Sequence, residues 1–141
     1  MAVKLEFFSM PLNFLALVAN TQATSSLQVP ADANFIWTHA HYFADVAAAG
    51  QTDATRVVPL ITLFLQNGYT GRNLVGNPNN STNAQNSAHL TSIFGGRQPL
   101  ELPKPLMFAA NSFINVSVFN HDAAQTYNLR LTFIGYKQFE G

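Results

Sequence analysis

The chain has 141 residues, no cysteine, and seven basic against seven acidic residues; only 10% of it is charged, where an average soluble domain has roughly 25%. These values exclude a disulfide framework and a thiolate metal site, and they leave no basic stripe for nucleic acid and no polybasic membrane contact. A single domain of this length buries roughly two thirds of its unfolded surface, and a near-neutral, charge-poor surface does little to oppose self-association.

The apolar start, Met1–Val18, is not expected to be a secretory signal. Glu6 follows Lys4, and Pro11 and Asn13 interrupt the apolar run that a signal core requires. It is read as an N-terminal arm and lead-in over residues 1–22, ahead of a domain over 23–141. Within it, Leu12–Val18 fits strand or helix equally. No segment reaches the ~18–20 apolar residues of a membrane span.

Two-residue alternation, the mark of half-buried strands, then runs through the chain. Ser25–Val29 is a short strand ended by Pro30. Asn34–Phe43 places Phe35, Trp37, His39, His41 and Phe43 on one face and Ile36, Thr38, Ala40 and Tyr42 on the other. Ala44–Thr55 reads as a loop or a single helical turn. Val57–Gln66 suits a central strand with Pro59 near its start, since proline has no N–H for a ladder.

Residues 77–89 carry Asn77, Asn79, Asn80, Asn83 and Asn86 without apolar periodicity, which predicts an exposed loop. Leu90–Phe94 is a short apolar anchor before Gly95-Gly96. Pro99, Pro103 and Pro105 punctuate an extended stretch with Leu100 and Leu102 to one side. Ser112–Phe119 alternates with Ile114, Val116 and Val118 on one face, and Thr126–Phe139 with Tyr127, Leu129, Leu131 and Phe133. The polar connection Asn120–Gln125 makes this pair an expected antiparallel hairpin. Gly135 inside the last strand signals a bulge or a close backbone approach. About eight strands and no helical period predict an all-β, antiparallel β-sandwich, jelly-roll-like and single-domain.

Few residues suggest chemistry. His39 and His41, two apart on a strand, emerge on one face and have the spacing to share a metal ion. With Asp45 they resemble in outline the first motif of the cupins, metal-binding jelly rolls. Ala33 stands where that motif has glycine, however, Asp45 where it has glutamate, and neither His89 nor His121 supplies the second motif. The reading taken is packing beside Trp37 and Phe43, with no metal ligand assigned.

Gly68-Tyr69-Thr70-Gly71-Arg72-Asn73 lacks P-loop spacing and reads as a turn, as does Gly95-Gly96-Arg97. Arg72, Arg97 and Arg130 read as surface charge, or as interface residues. Glu6, Asp32, Asp45, Asp53, Glu101, Asp122 and Glu140 form no glycosidase pair, and no nucleophile elbow is present. The sequons Asn80-Ser81-Thr82 and Asn115-Val116-Ser117 are read as chance matches. No catalytic residue, cofactor or metal is expected.

One resemblance bears on role. The succession Leu60–Gln66, Gly71-Arg72, Leu90–Phe94, Pro99–Pro105, Phe108-Ala109-Ala110-Asn111-Ser112, Ile114–Asn120 and Tyr127–Tyr136 resembles small virion structural proteins of tailed bacteriophages. The likeness covers residues 35–139. Its strongest parts are the proline-bounded LPKPLMFAANS, the strand INVSVFN and the last strand YNLRLTFIGYK. It implies a jelly-roll subunit at the capsid surface of the virion: a decoration or cement protein that binds the major capsid protein. Since closed symmetry is the common outcome, a cyclic homo-oligomer, a trimer or dimer, is expected. A tail, collar or neck subunit is the competing implication. A metal-binding jelly roll, through His39 and His41, and a glycan-binding sandwich, through loop 77–89 and the surplus aromatic residues, are the readings of another class.

Overall fold

The computed structural model describes residues 3–47, 57–75 and 87–140. Nine strands are present in this part: β1 (Val3–Leu17), β2 (Gln22–Gln28), β3 (Asn34–Val46), β4 (Ile61–Asn67), β5 (Asn73–Val75), β6 (Ala88–His89), β7 (Leu100–Phe108), β8 (Phe113–Asn120) and β9 (Tyr127–Glu140), with a short 3-10 turn at Leu90–Ser92. All pairings between these strands are antiparallel. One sheet, here sheet A, has the order β1-β9-β3-β7. The other, sheet B, has the order β2-β8-β4-β5, with β6 also on β4. The chain passes from one sheet to the other at nearly every connection, which is the jelly-roll arrangement of two interleaved Greek keys. The all-β sandwich is therefore the fold.

The inner faces carry the alternating residues expected of them. Ile114, Val116 and Val118 of β8 are fully buried, as are Leu129, Leu131 and Phe133 of β9. Trp37 stands at the centre of an aromatic cluster, with its ring 4.9 Å from Phe133, 6.1 Å from Phe94 and 6.4 Å from Phe108. Each such side chain contributes about 1.5–3 kcal/mol by leaving water. The indole N–H donates to the His39 carbonyl at 2.7 Å, so the one polar atom of this cluster is satisfied.

Three expectations are corrected. First, β8 and β9 do not form a hairpin: β8 pairs with β2 and β4, and β9 with β1 and β3. Alternation shows that a strand has one buried face, but strands stacked across a sandwich and strands paired side by side share that pattern. The connection is instead a crossover held from within. Asn120 donates through Nδ2 to the Leu17 and Gln125 carbonyls. Asp122 Oδ1 accepts from the N–H groups of Ala124 and Gln125, and Tyr127 donates its hydroxyl proton to Asp122 Oδ2 at 2.8 Å.

Second, the start of the chain is no arm. Val3–Leu17 is the longest strand and the edge of sheet A, paired with β9 residue for residue from Val3 to Phe14. Met10, Leu12, Phe14 and Leu17 are part of the core. A boundary near residue 22 therefore divides nothing.

Third, β3 does not keep one parity. Phe35 and Trp37 are buried, but so are Ala40, Tyr42 and Ala44. The register with β9 steps from Trp37–Gly135 to His39–Ile134, so Thr38 is an extra residue, a β-bulge. Everything after it changes face, and His39, His41 and Phe43 turn outward with Ile36. The Gly135 signal marks this place: a Cβ there would lie 1.8 Å from the Ile36 carbonyl oxygen.

Smaller expectations also find their positions. Pro59 precedes β4, which is central between β8 and the β5 and β6 pairings. Pro103 and Pro105 fall on edge strand β7, where pairing with β3 lapses between Glu101 and Leu106. The end of the expected loop 77–89 is structured, since Ala88 and His89 pair with Leu63 and Thr62. Residues 77–86 and most of the expected loop at 44–55 lie outside the described residues, while Ala44–Val46 belongs to β3.

Candidate interaction faces

His39 and His41 are brought to one face, with no third metal-ligating side chain grouped with them among the described residues. His39 Nδ1 is 2.8 Å from Thr38 Oγ1, and its Nε2 is 4.0 Å from Glu101 on the neighbouring edge strand. His41 lies opposite Thr132 in the ladder. Asp45 follows His41 by four strand residues, about 13 Å at the usual rise, too far to share an ion with it. Its carboxylate is fully buried, and neither oxygen has a hydrogen-bond partner among the described residues.

The other two histidines are on the sheet B side, His89 in β6 and His121 just past the end of β8. His89 pairs with Thr62 in the ladder, and His121 Nε2 is 2.8 Å from Thr62 Oγ1. The four histidines thus divide between the two sheets, and no group of three metal-ligating side chains exists among the described residues. The Thr62–His121 contact has the look of a nucleophile and base. The acid next to it in the chain, Asp122, is already engaged by Ala124, Gln125 and Tyr127, so it does not orient the imidazole as a triad requires.

The remaining sequence candidates are separate from one another. Gly68–Asn73 is the turn from β4 to β5, with Asn67 Oδ1 accepting from the N–H of Tyr69 and Thr70, and Gly71 at φ 74°. Arg72 and Arg97 are exposed and Arg130 is half-buried on β9. The sequon at Asn115 is in the middle of β8, and its side chain is engaged: Oδ1 accepts from Ser26, and Nδ2 donates to Gln66. Asn80-Ser81-Thr82 lies outside the described residues.

The outer faces of the two sheets differ in chemistry. On sheet B, Thr24 is 3.0 Å from Ser117, Ser26 donates to Asn115, and Asn115 donates to Gln66. This is a cross-strand ladder of uncharged polar groups, suited to water.

Sheet A presents the opposite. The registers place Phe7 opposite Tyr136, Tyr136 opposite Ile36, and Ile36 opposite Met107. One row of apolar or aromatic residues therefore crosses all four strands on the outer face. Phe7 is 74% exposed, Met107 59% and Tyr136 40%, and Leu5 extends the row along β1 at 53%. Sequence reading missed this row, because its members come from four strands distant in the chain and none is unusual alone.

A third feature is a cleft of about 260 Å³ at the β7 edge, lined by Trp37, Leu65, Leu74, Ile93, Leu102 and Lys104 among others.

No protein family, no curated protein and no solved structure matches the chain.

Proposed function

We propose that the chain is a virion structural protein of the tailed-phage type: a capsid decoration or cement subunit whose sheet A seats on the major capsid protein and stabilises the shell. The observation that carries this reading is the exposed row Phe7–Tyr136–Ile36–Met107. Contiguous exposed apolar surface on a folded domain marks a protein contact. The jelly roll is shared by capsid proteins, lectins and cupins, so the fold does not choose among them. The apolar face, the low charge and the likeness of residues 35–139 to phage virion proteins favour permanent association.

The energetics suit such a role. A subunit that binds only the assembled shell stabilises it by mass action, and a symmetric lattice multiplies a modest contact. The uncharged polar face of sheet B then meets solvent at the virion surface. In this reading the chain assembles as a homo-oligomer and needs no catalytic residue, cofactor or metal.

The test is co-sedimentation with shells of the major capsid protein encoded in the same genome, followed by image reconstruction of the decorated particle. Saturable binding that is lost in Phe7→Lys/Met107→Lys is the expected result. A chain that ignores shells overturns the decoration role, and density at the neck or tail assigns it to the competing virion location.

A further inference from the structure

The four sheet edges of this sandwich are not equally protected. Strand β7 carries Pro103 and Pro105, and its pairing with β3 lapses there. Strand β2 has seven residues, and the far edge of sheet B is divided between three-residue β5 and two-residue β6. Strand β1 has fifteen residues and pairs with β9 without a bulge from Val3 to Phe14. Among the described residues, no backbone hydrogen bond reaches its open side between Lys4 and Met10. A long unguarded edge is a template for another strand.

The sequence of β1 tells which backbone groups face that side. Pro11 lies opposite Thr132 within the unbroken ladder. Proline has no N–H, so its nitrogen must point away from β9, toward the open edge. Strand alternation then turns the N–H and C=O groups of Val3, Leu5, Phe7 and Ser9 to the same side.

We infer that two copies of this chain pair antiparallel through β1 about a two-fold axis at Leu5, joining the two A sheets into one. Only certain registers are compatible with β1. A two-fold at Glu6 sets two carboxylates against each other. A two-fold at Phe7 puts Glu6 against the partner's Phe8. A two-fold at Ser9 brings donorless Pro11 against the partner's Phe7.

With the axis at Leu5, Lys4 faces the partner's Glu6 and Glu6 faces the partner's Lys4. These two side chains already lie together, 3.3 Å apart and largely exposed. Leu5 meets the partner's Leu5, and Phe7 pairs with position 3 of the second copy, each pair exchanging both backbone bonds. The motif Lys4-Leu5-Glu6 is therefore complementary to itself when reversed, and the net charge of zero does not oppose the approach. The apolar row ending at Phe7 reaches the seam, so the dimer presents one continuous outer face. The inference stands apart from the virion reading, because it is measured on the purified chain without shells.

Sedimentation velocity of the wild type, Lys4→Glu, Glu6→Lys and the double exchange Lys4→Glu/Glu6→Lys tests it. Each single change is expected to weaken the dimer about tenfold or more through facing like charges, and the double exchange to restore it to within about threefold. All three leave the exposed monomer surface folded, as circular dichroism will show. The cysteine-free chain permits a second readout that does not depend on charge: Leu5→Cys closes a symmetric disulfide on oxidation, since paired strand positions have suitable Cα spacing, while Ser9→Cys does not. A wild-type chain that stays monomeric at high micromolar concentration overturns the inference. So does a dimer indifferent to both single charge changes, or one that cross-links as readily at Ser9.

Discussion

The carbonyl oxygen of Ile36 occupies the space that a side chain on Gly135 would need, with a built Cβ only 1.8 Å away. This contact locks the bulge at Thr38, and the bulge decides which residues of β3 face the core. Thr38 adds to the lock by donating its hydroxyl proton to the Ile134 carbonyl at 3.2 Å.

Gly135→Ala is therefore expected to destabilise the fold by about 3 kcal/mol or more, because the obstructing atom is backbone and has no rotamer to change. Denaturant unfolding followed by the fluorescence of Trp37, the chain's one tryptophan, reads the loss directly. Gly96→Ala is the control. Its nearest contact is the Tyr42 hydroxyl at 3.1 Å, a side-chain atom that can shift, so its cost is expected to be under about 1 kcal/mol.

Removing residues 1–17 is expected to abolish cooperative unfolding. The cut takes away Met10, Leu12, Phe14 and Leu17, all buried, at about 1.5–3 kcal/mol each. That loss is of the same size as the whole ~5–15 kcal/mol stability of a domain, and it also leaves β9 as a bare edge. An appended arm would come off without changing the unfolding midpoint, so calorimetry of the truncated chain distinguishes an arm from a strand.

The strands of the second half were legible because their outer residues are polar. Asn128, Arg130 and Thr132 alternate with Leu129, Leu131 and Phe133, and only the second set is buried. In β1 the outer residues Leu5, Phe7, Pro11 and Leu15 are as apolar as the inner ones, so the period-two signal vanishes and the segment reads as an arm. The apolar outer face thus hid both the element and the candidate site. Strand partners were illegible for a different reason. Whether β8 lies beside β9 or across the sandwich from it is a long-range choice that local alternation does not record. The His39 parity failed at a single inserted residue, whose only sequence sign is a glycine almost a hundred positions away.

The Asp122–Tyr127 pair sets a pH window at the β8–β9 crossover. The Ala124 N–H, then the Gln125 N–H, then the Tyr127 hydroxyl hold the Asp122 carboxyl below its ordinary value. A depressed carboxyl contributes stability above the unfolded value, about 3.9, and loses it as pH falls through the folded value. Burial first, and then the hydrogen bond and charge of Asp122, push Tyr127 up to about 12. A raised phenol contributes stability below about 10 that is lost as pH rises toward its folded value. Thermal melts of Tyr127→Phe should decline less between pH 10 and 12 than those of the wild type. A wild type with no decline in that window would contradict the pairing.

The chemical difference between the two outer faces predicts an asymmetric response to added charge. Phe7 and Met107 are more than half exposed, so lysine at either site changes stability by no more than about 0.5 kcal/mol. The same substitutions break the row of apolar residues that crosses sheet A, and retention on a hydrophobic column should fall with each. Thr24→Lys on sheet B introduces the same charge beside Ser117 without removing apolar surface, and retention should stay as it was. If the two faces responded alike, the row Phe7–Tyr136–Ile36–Met107 would not be the adhesive surface of this protein, and the docking face would have to be sought at the cleft beside Lys104.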